Sequence, residues 1–139
     1  MRAYTGPMQP ISRQLISQRV EEHHQAWQQR KKRLQGEEAR YTLVLHSARK
    51  ELDLTINEYC LADAIHKLSG TRSAVPGWCY ASKEQLASSL GVSRQSIHNM
   101  INKLKGKGIV EVQAETGHLR STDLWRDTVE ILKTKVFGD

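Results

Sequence analysis

The sequence predicts a mostly α-helical domain that carries one small β-hairpin. Two capping boxes, in which a Ser or Thr is followed three residues later by Glu or Gln, indicate the starts of two helices. Apolar and polar residues between positions 109 and 122 flank a Glu-Thr-Gly turn, which indicates two antiparallel strands. The length of 139 residues fits one domain with a short appendage.

The composition is that of a basic globular protein. Its 21 Lys and Arg against 15 Asp and Glu give a net charge of +6 and an isoelectric point near 9.5, which favours an acidic partner. No apolar run approaches the roughly 18 residues that cross a bilayer, and the first residues lack the apolar stretch of a secretion signal. Two cysteines are too few for a disulfide scaffold or a four-ligand zinc site. We therefore expect a soluble, cytoplasmic protein.

The positive charge lies in two separate stretches. Residues 1–40 hold eight Lys and Arg against four Asp and Glu, whereas residues 41–79 hold four of each. The stretch 82–109 holds five cations against the single carboxylate of Glu84. Because a solvated helix face also carries such charge, the sign alone does not identify a binding surface.

The first 40 residues predict a basic arm with one long helix. Residues 1–10 hold two of the three prolines and show no periodicity, so we expect them to be disordered. Residues 12–35 lack Pro and Gly, and Gly36 follows a last turn rich in Lys and Arg. This combination predicts a helix that stops at Gly36.

That helix carries half of a coiled-coil seam. Its apolar residues recur every seven positions at Val20, Trp27 and Leu34. The intervening positions, His24 and Lys31, are polar, so the apolar stripe is interrupted. We expect the basic cluster Arg30–Arg33 at its end to be either a solvated helix end or an arm that binds an acidic partner, and the helix is one of two candidates for a dimer contact.

Residues 41–139 predict the main domain, which begins with one helix between two extended segments. The apolar run 41–46 is rich in strand formers and predicts a strand or an extended cover. A capping box at Thr55 opens a helix that ends at Gly70. The aromatic stretch 78–80 is consistent with a small strand.

Two helices joined by a tight turn follow. A second capping box at Ser82 opens a helix that Gly91 closes. Ser93 caps the next helix, which reaches about Lys105, where alternating Lys and Gly residues break it.

A hairpin and a last helix complete the pattern. Residues 109–112 and 118–122 predict the two strands, and a stripe with helical spacing predicts the helix. The stripe consists of Trp125, Val129, Leu132 and Val136. It is either a cover for the core or a dimer seam. The order of elements is that of a winged helix-turn-helix domain with an added N-terminal helix and a C-terminal helix.

The apolar residues of the paired helices fit the spacing of a helix-turn-helix unit. Ala87 is small where the second helix crosses, Gly91 suits a left-handed turn, and Ile97 points back between the helices. The other inner positions are apolar as well: Leu86, Leu90, Val92, Ile101 and Leu104. The second helix is therefore expected to present a polar face outward.

The stretch LASSLGVSRQSIHN at 86–99 resembles the helix-turn-helix of bacterial winged-helix DNA-binding proteins. The longer stretch 54–125, with PGWCYAS at 76–82, is similar to small winged-helix proteins of phages and mobile elements. The resemblance covers roughly half of the chain and none of residues 1–40. Some of these relatives regulate transcription and others are modules of replication initiators, so the resemblance implies double-stranded DNA as partner and leaves both roles open.

The resemblance also implies which side chains contact DNA. In that family the second helix lies in the major groove with its N-terminal, outward side chains on base edges. Arg94 suits a bidentate contact to guanine, and Gln95 or Asn99 suits one to adenine. The base-contact positions are Ser93, Arg94, Gln95, His98, Asn99 and Asn102. The positions suited to phosphate or wing contacts are Ser82, Lys83, Lys103, Lys105, Lys107, His118 and Arg120.

These features predict a sequence-selective DNA-binding protein, associated with the nucleoid, that regulates transcription as a homodimer. A dimer is expected because one recognition helix reads only a few base pairs, and the N-terminal or the C-terminal helix is the expected contact. Two alternatives stay open. One is a replication or partition factor of a phage or plasmid, and the other is a winged-helix module that holds a protein partner.

Enzymatic and metal-binding functions find little support in the sequence. It contains no Gly-rich phosphate loop, no H-E-x-x-H and no G-x-S-x-G motif, so we expect no enzyme and no cofactor. His23 and His24 are adjacent and point in different directions on a helix, so we expect no metal site there. Cys60 and Cys79 are expected to be small core residues.

Overall fold

The computed structural model describes residues 12–36, 40–70, 73 and 75–138. Within these ranges the chain forms six helices and one two-stranded antiparallel hairpin, so the mostly α-helical class with a small hairpin is confirmed. The chain divides into two compact units, Met1–Arg40 and Tyr41–Asp139. The disorder expected for residues 1–10 lies outside the described residues.

The first unit holds a single long helix, α1, at Arg13–Gln35. Ser12 caps it, because its hydroxyl accepts a hydrogen bond from the Leu15 backbone N–H at 3.1 Å. The helix stops at Gly36, whose φ of −86° is right-handed, so the stop does not use the left-handed conformation typical of glycine. None of its described residues is buried.

The second unit begins with a short helix, α2, at His46–Glu51, which the sequence did not predict. The expected strand at 41–46 is therefore wrong, whereas the alternative of an extended cover agrees with Val44 and Leu45, which pack against the core. Six residues are too few for helical periodicity to appear. The helix is stabilised instead by tertiary packing, since Ala48 is fully buried.

The next helix, α3, spans Ile56–Leu68 and starts at the predicted capping box. The Thr55 hydroxyl accepts from the Glu58 backbone N–H at 3.2 Å, and the Glu58 carboxylate accepts from the Thr55 N–H at 2.8 Å. The buried face of α3 includes Leu61 and Ile65, which form the centre of the core. Cys60 is only partly buried, so its assignment to the core is wrong, whereas Cys79 is buried as expected.

The helix-turn-helix unit consists of α4 at Lys83–Leu90 and α5 at Arg94–Gly106. Both halves of the capping box at Ser82 are formed, and Gly91 ends α4 with the left-handed φ of 71°. Ala87 and the inner side of α5 are buried between the two helices and α3. Burial therefore confirms the predicted inner face at Leu86, Ile101 and Leu104, whereas Leu90 and Val92 are only half-buried and pack against the core.

The hairpin pairs β1 at Val110–Val112 with β2 at Leu119–Ser121, so that Glu111 lies opposite Arg120. The small strand expected at 78–80 is wrong, because the segment forms only two isolated bridges, from Trp78 to Val75 and from Cys79 to Leu119. The Cys79 backbone N–H donates to the Leu119 carbonyl at 2.6 Å. The bridge between Val75 and Trp78 closes a turn that contains Gly77 at a φ of 86°.

The last helix, α6, spans Asp123–Phe137 and covers the core with its first half. Trp125 is buried with its ring centroid 4.8 Å from that of Tyr59, and Val129 and Leu132 pack against the same core. Burial raises the pKa of the Tyr59 hydroxyl. Val136, the fourth position of the predicted stripe, is 60% exposed, so the stripe covers the core only over its first three positions.

Candidate nucleic-acid interface

The polar residues of α5 lie on the side opposite to its buried face. Ile97, Ile101 and Leu104 are 5% exposed or less. Because successive helical residues are rotated by about 100°, the positions opposite these three are Gln95, Asn99, Asn102 and Gly106. All four are exposed. The helix thus presents a row of uncharged amide side chains, which we call the amide row, defined as Gln95, Asn99 and Asn102.

Two members of the amide row are hydrogen-bonded to each other. The Gln95 side-chain nitrogen donates to the Asn99 side-chain oxygen at 3.0 Å, one helical turn away. Each amide keeps a donor and an acceptor beyond this bond, so both can still pair with a base edge.

His98 joins α5 to α4 through a contact with Lys83. The Lys83 Nζ lies 2.8 Å from His98 Nδ1, and Asn102 Nδ2 lies 3.3 Å from His98 Nε2. An ammonium group can only donate, so Lys83 donates to His98 Nδ1 and joins the start of α4 to the middle of α5.

Arg94 forms an ion pair with Glu84 across the two helices of the unit. The distance from Arg94 Nε to Glu84 Oε1 is 2.5 Å, and the side chains are 61% and 64% exposed. A hydrogen bond from its own backbone N–H, and then the Arg94 guanidinium, lower the pKa of the Glu84 carboxyl. From the sequence, Glu84 counts only as a charge, although its place as the single carboxylate in the basic stretch 82–109 could have marked it as a functional residue.

The serines assigned to DNA contact are used as helix caps. Ser82 Oγ accepts from the Gln85 backbone N–H at 3.1 Å, and Ser93 Oγ accepts from the Ser96 N–H at 3.0 Å. Both residues are exposed at the N-termini of α4 and α5. Their positions therefore combine exposed backbone N–H groups with the positive end of a helix.

The three lysines at the end of α5 differ in their surroundings. Lys103 and Lys105 are exposed, and neither forms an ion pair within the described part of the chain. The Lys107 Nζ lies 3.7 Å from the Asp53 carboxylate and also donates to the Asp53 backbone carbonyl. Lys107 is thus neutralised within the domain, whereas the other two charges face solvent.

The two hairpin residues differ in position, since His118 adjoins the turn at the tip and Arg120 lies within β2. Arg120 is the central residue of β2, where its Nε pairs with the Glu111 carboxylate, and its guanidinium carbon lies 4.2 Å from the centroid of the Trp78 ring. His118 precedes β2, and its buried Nδ1 has no partner among the described residues. The structure therefore brings the predicted residues of α4 and α5 together and keeps these two on the hairpin.

The described residues give no sign of a metal or membrane site. Among them, no three His, Cys, Asp or Glu side chains are grouped as metal ligands would be. No described helix is long and apolar enough to cross a membrane.

Comparison with known proteins agrees with this architecture. The chain matches the Crp-like helix-turn-helix domain over residues 41–126. A solved structure of the multiple antibiotic-resistance repressor (MarR) from Listeria monocytogenes is similar with a TM-score of 0.50 and 15% identity, over 87% of this chain and 75% of that one. IdeR of T. acidophilum is 25% identical with a TM-score of 0.41, over 62% of this chain and only 41% of that one. No curated protein sequence gives a significant match.

The family match covers more than half of the chain and includes every helix and strand from α2 to β2. The winged helix-turn-helix architecture predicted from the sequence is confirmed, whereas the resemblance to phage and mobile-element proteins stays a prediction. The chain belongs to the Crp-like helix-turn-helix family of DNA-binding domains.

Proposed function

We propose that this protein binds double-stranded DNA sequence-selectively through α5 and regulates transcription. The observation that carries the proposal is the amide row, which is exposed on the side of α5 opposite to Ile97 and Ile101. Asn and Gln side chains form bidentate hydrogen bonds with adenine N6 and N7 in the major groove, and each such pair contributes about 1–3 kcal/mol of discrimination.

The cations beside the amide row are suited to phosphate contact. Lys83, Lys103 and Lys105 have no carboxylate partner among the described residues. Lys107 and Arg120 are each paired with a carboxylate within the domain and are expected to contribute less. Each neutralised phosphate adds about −0.9 to the slope of log affinity against log salt, so three contacts predict a slope of about −2.7 per domain.

The direct test is selection of bound sequences from a random duplex library at fixed salt, followed by a salt titration on the selected duplex. We expect a defined consensus sequence and a steep loss of affinity with salt. Lys105→Gln should reduce the slope by about 0.9, whereas the matched variant Lys107→Gln should leave it nearly unchanged. Binding that is insensitive to salt, or the absence of any selected sequence, would contradict the proposal.

A second pair of variants separates DNA binding from a role as a protein-interaction module. Arg94→Ala and Asn99→Ala are each expected to remove the sequence preference at the base pair that the side chain reads, if α5 reads bases. If the domain instead holds a protein partner, capture of that partner from a lysate is unchanged by both variants, and DNA selection yields no consensus.

Self-association through a helix outside the helix-turn-helix unit is part of the proposal. The apolar residues of α1, among them Val20 and Trp27, are exposed, and so are Val136 and Phe137 at the end of α6. Exposed apolar residues at helical spacing favour pairing with a second copy. We expect a dimer in sedimentation velocity and a palindromic consensus sequence.

Two charge substitutions identify the helix that forms this contact. Val20→Lys in α1 or Val136→Lys in α6 should convert the dimer to a monomer if that helix pairs. A monomeric wild-type chain, or a non-palindromic site bound by one copy, would contradict the dimer. The genomic location of the consensus then separates the two cellular roles, since sites at promoters favour regulation and clustered repeats at an origin favour replication.

A further inference from the structure

Glu84 is placed where a carboxylate is unexpected on a surface that binds a polyanion. It is the second residue of α4, and its side chain reaches the first residue of α5, Arg94, ten positions later in the chain. The contact spans the turn of the helix-turn-helix unit, and both side chains are more than half exposed. A carboxylate in this position repels DNA phosphates and therefore lowers affinity for every sequence. Glu84 is therefore expected to contribute to a property of the interface other than its overall affinity for DNA.

The geometry of the ion pair suggests what that role is. Glu84 Oε1 accepts from the Nε of Arg94, and the two terminal nitrogens of the guanidinium have no hydrogen-bond partner within the described chain. A guanidinium carries five N–H donors in one plane, and a guanine edge needs two of them for O6 and N7. Because Glu84 holds Nε, the plane of the Arg94 guanidinium is fixed. The N–H groups of its two terminal nitrogens remain free to donate to a base.

A free arginine at this position would behave differently. Its long side chain samples many rotamers and can turn toward the nearest phosphate, which carries no sequence information. The carboxylate reduces that freedom and competes with phosphates for the charge. Glu84 would thus favour the base contact of Arg94 over a backbone contact.

We propose that Glu84 is a positioning residue that directs Arg94 to a guanine in the major groove and so determines specificity at one base pair. This inference rests on the proposed function, because it assumes that α5 enters the groove. It assigns to Glu84 an effect on sequence preference that is separate from its effect on overall affinity.

The test measures affinity for the selected duplex and for duplexes in which the guanine assigned to Arg94 is replaced. That guanine is identified first, as the position at which Arg94→Ala loses its preference. For Glu84→Gln we expect tighter binding to all duplexes, a salt slope steeper by up to about 0.9, and a preference for that guanine reduced by about tenfold. Preferences at the other base pairs should be unchanged.

Two further variants separate positioning from charge. Glu84→Asp keeps the charge and shortens the reach, so it should lose the guanine preference while the salt slope stays that of the wild type. Asp123→Asn removes a comparable exposed ion pair, that of Arg126 on α6 at 2.7 Å, and should change neither quantity. In the Arg94→Ala background, Glu84→Gln should have no further effect on the guanine preference.

Three results would overturn the inference. Equal tightening of all duplexes by Glu84→Gln, with the guanine preference intact, would mean that Glu84 only competes with DNA. A changed preference in the absence of Arg94 would mean that Glu84 acts directly on a base. A wild-type chain without any sequence preference would refute both this inference and the proposed function, whereas the first two results leave the proposed function standing.

Discussion

The same substitution at two glycines of the helix-turn-helix unit is expected to have opposite effects on stability. Gly91 ends α4 with a left-handed φ of 71°, whereas Gly106 is the last helical residue of α5. A Cβ added at either position would meet no atom within 4 Å. Steric collision therefore contributes to neither substitution. The backbone conformation alone determines whether alanine raises or lowers the stability of the domain.

The magnitudes follow from that conformation. An L-residue in the left-handed region costs roughly 1–2 kcal/mol, and the smaller entropy of the unfolded chain offsets about 0.4–1 kcal/mol of it. Gly91→Ala should therefore destabilise the domain by about 1 kcal/mol. Gly106→Ala should stabilise it by up to about 0.5–1 kcal/mol, because alanine is the better helix former. The free energies of unfolding of the two variants should differ by about 1–2 kcal/mol.

Urea denaturation gives the measurement. Trp27 lies in the other unit, so a Trp27→Phe background leaves the fluorescence to the domain, including the buried Trp125. With a slope of about 1–3 kcal/mol per molar urea, the midpoints of the two alanine variants should be separated by about 0.3–2 M. If the urea midpoints of both variants shifted equally in the same direction, the reasoning would be refuted, because the effect of alanine on stability would then not depend on the backbone conformation.

Three other perturbations test the core, a cap and the ion pair. Trp125→Ala should destabilise the domain by about 3–5 kcal/mol, seen as a lower midpoint in urea, because the side chain is 1% exposed. Ser82→Ala should cost about 1 kcal/mol in thermal unfolding, whereas Ser89→Ala, at an exposed position of the same helix, should stay within about 0.5 kcal/mol. Arg94→Ala should raise the pKa of Glu84 toward its ordinary value in an NMR titration of the carboxyl groups. The lowered pKa in the folded state means that the ionised Glu84 carboxylate, held first by its own backbone N–H and then by Arg94, stabilises the domain at neutral pH, and that this effect disappears as the pH falls through the Glu84 pKa.

The elements that the sequence predicted well are those that local chemistry specifies. The capping boxes at Thr55 and Ser82 form as expected, since each requires only a side chain and backbone groups three residues away. The left-handed turn at Gly91 is a similar case, because a single residue type provides the conformation. Such signals are complete within about four residues and do not depend on the rest of the fold.

The elements that were predicted wrongly from the sequence depend on distant parts of the chain. The helix α2 exists because Ala48 is buried in the core, and no pattern within six residues reports that burial. Cys79 pairs with Leu119, forty residues later, so the length of that β-segment is set by the hairpin. Val136 has the spacing of a core residue, but the helix extends beyond the core it covers.

The charge of the candidate site was also difficult to predict from the sequence, because it depends on which cations are paired in the folded chain. The stretch 82–109 contains five cations, and the sequence gives no reason to prefer one of them over another for contact with a DNA phosphate. In the folded chain Arg94 is paired with Glu84, the stretch's own carboxylate, and Lys107 with Asp53 from another segment, so two of the five cations are held by carboxylates. The charge that remains available is smaller than the sequence suggests, and it lies beside an uncharged amide row. An interface of this kind gains less affinity from phosphates and depends more on base edges, which is why sequence preference, rather than affinity alone, is the property by which the proposed function should be judged.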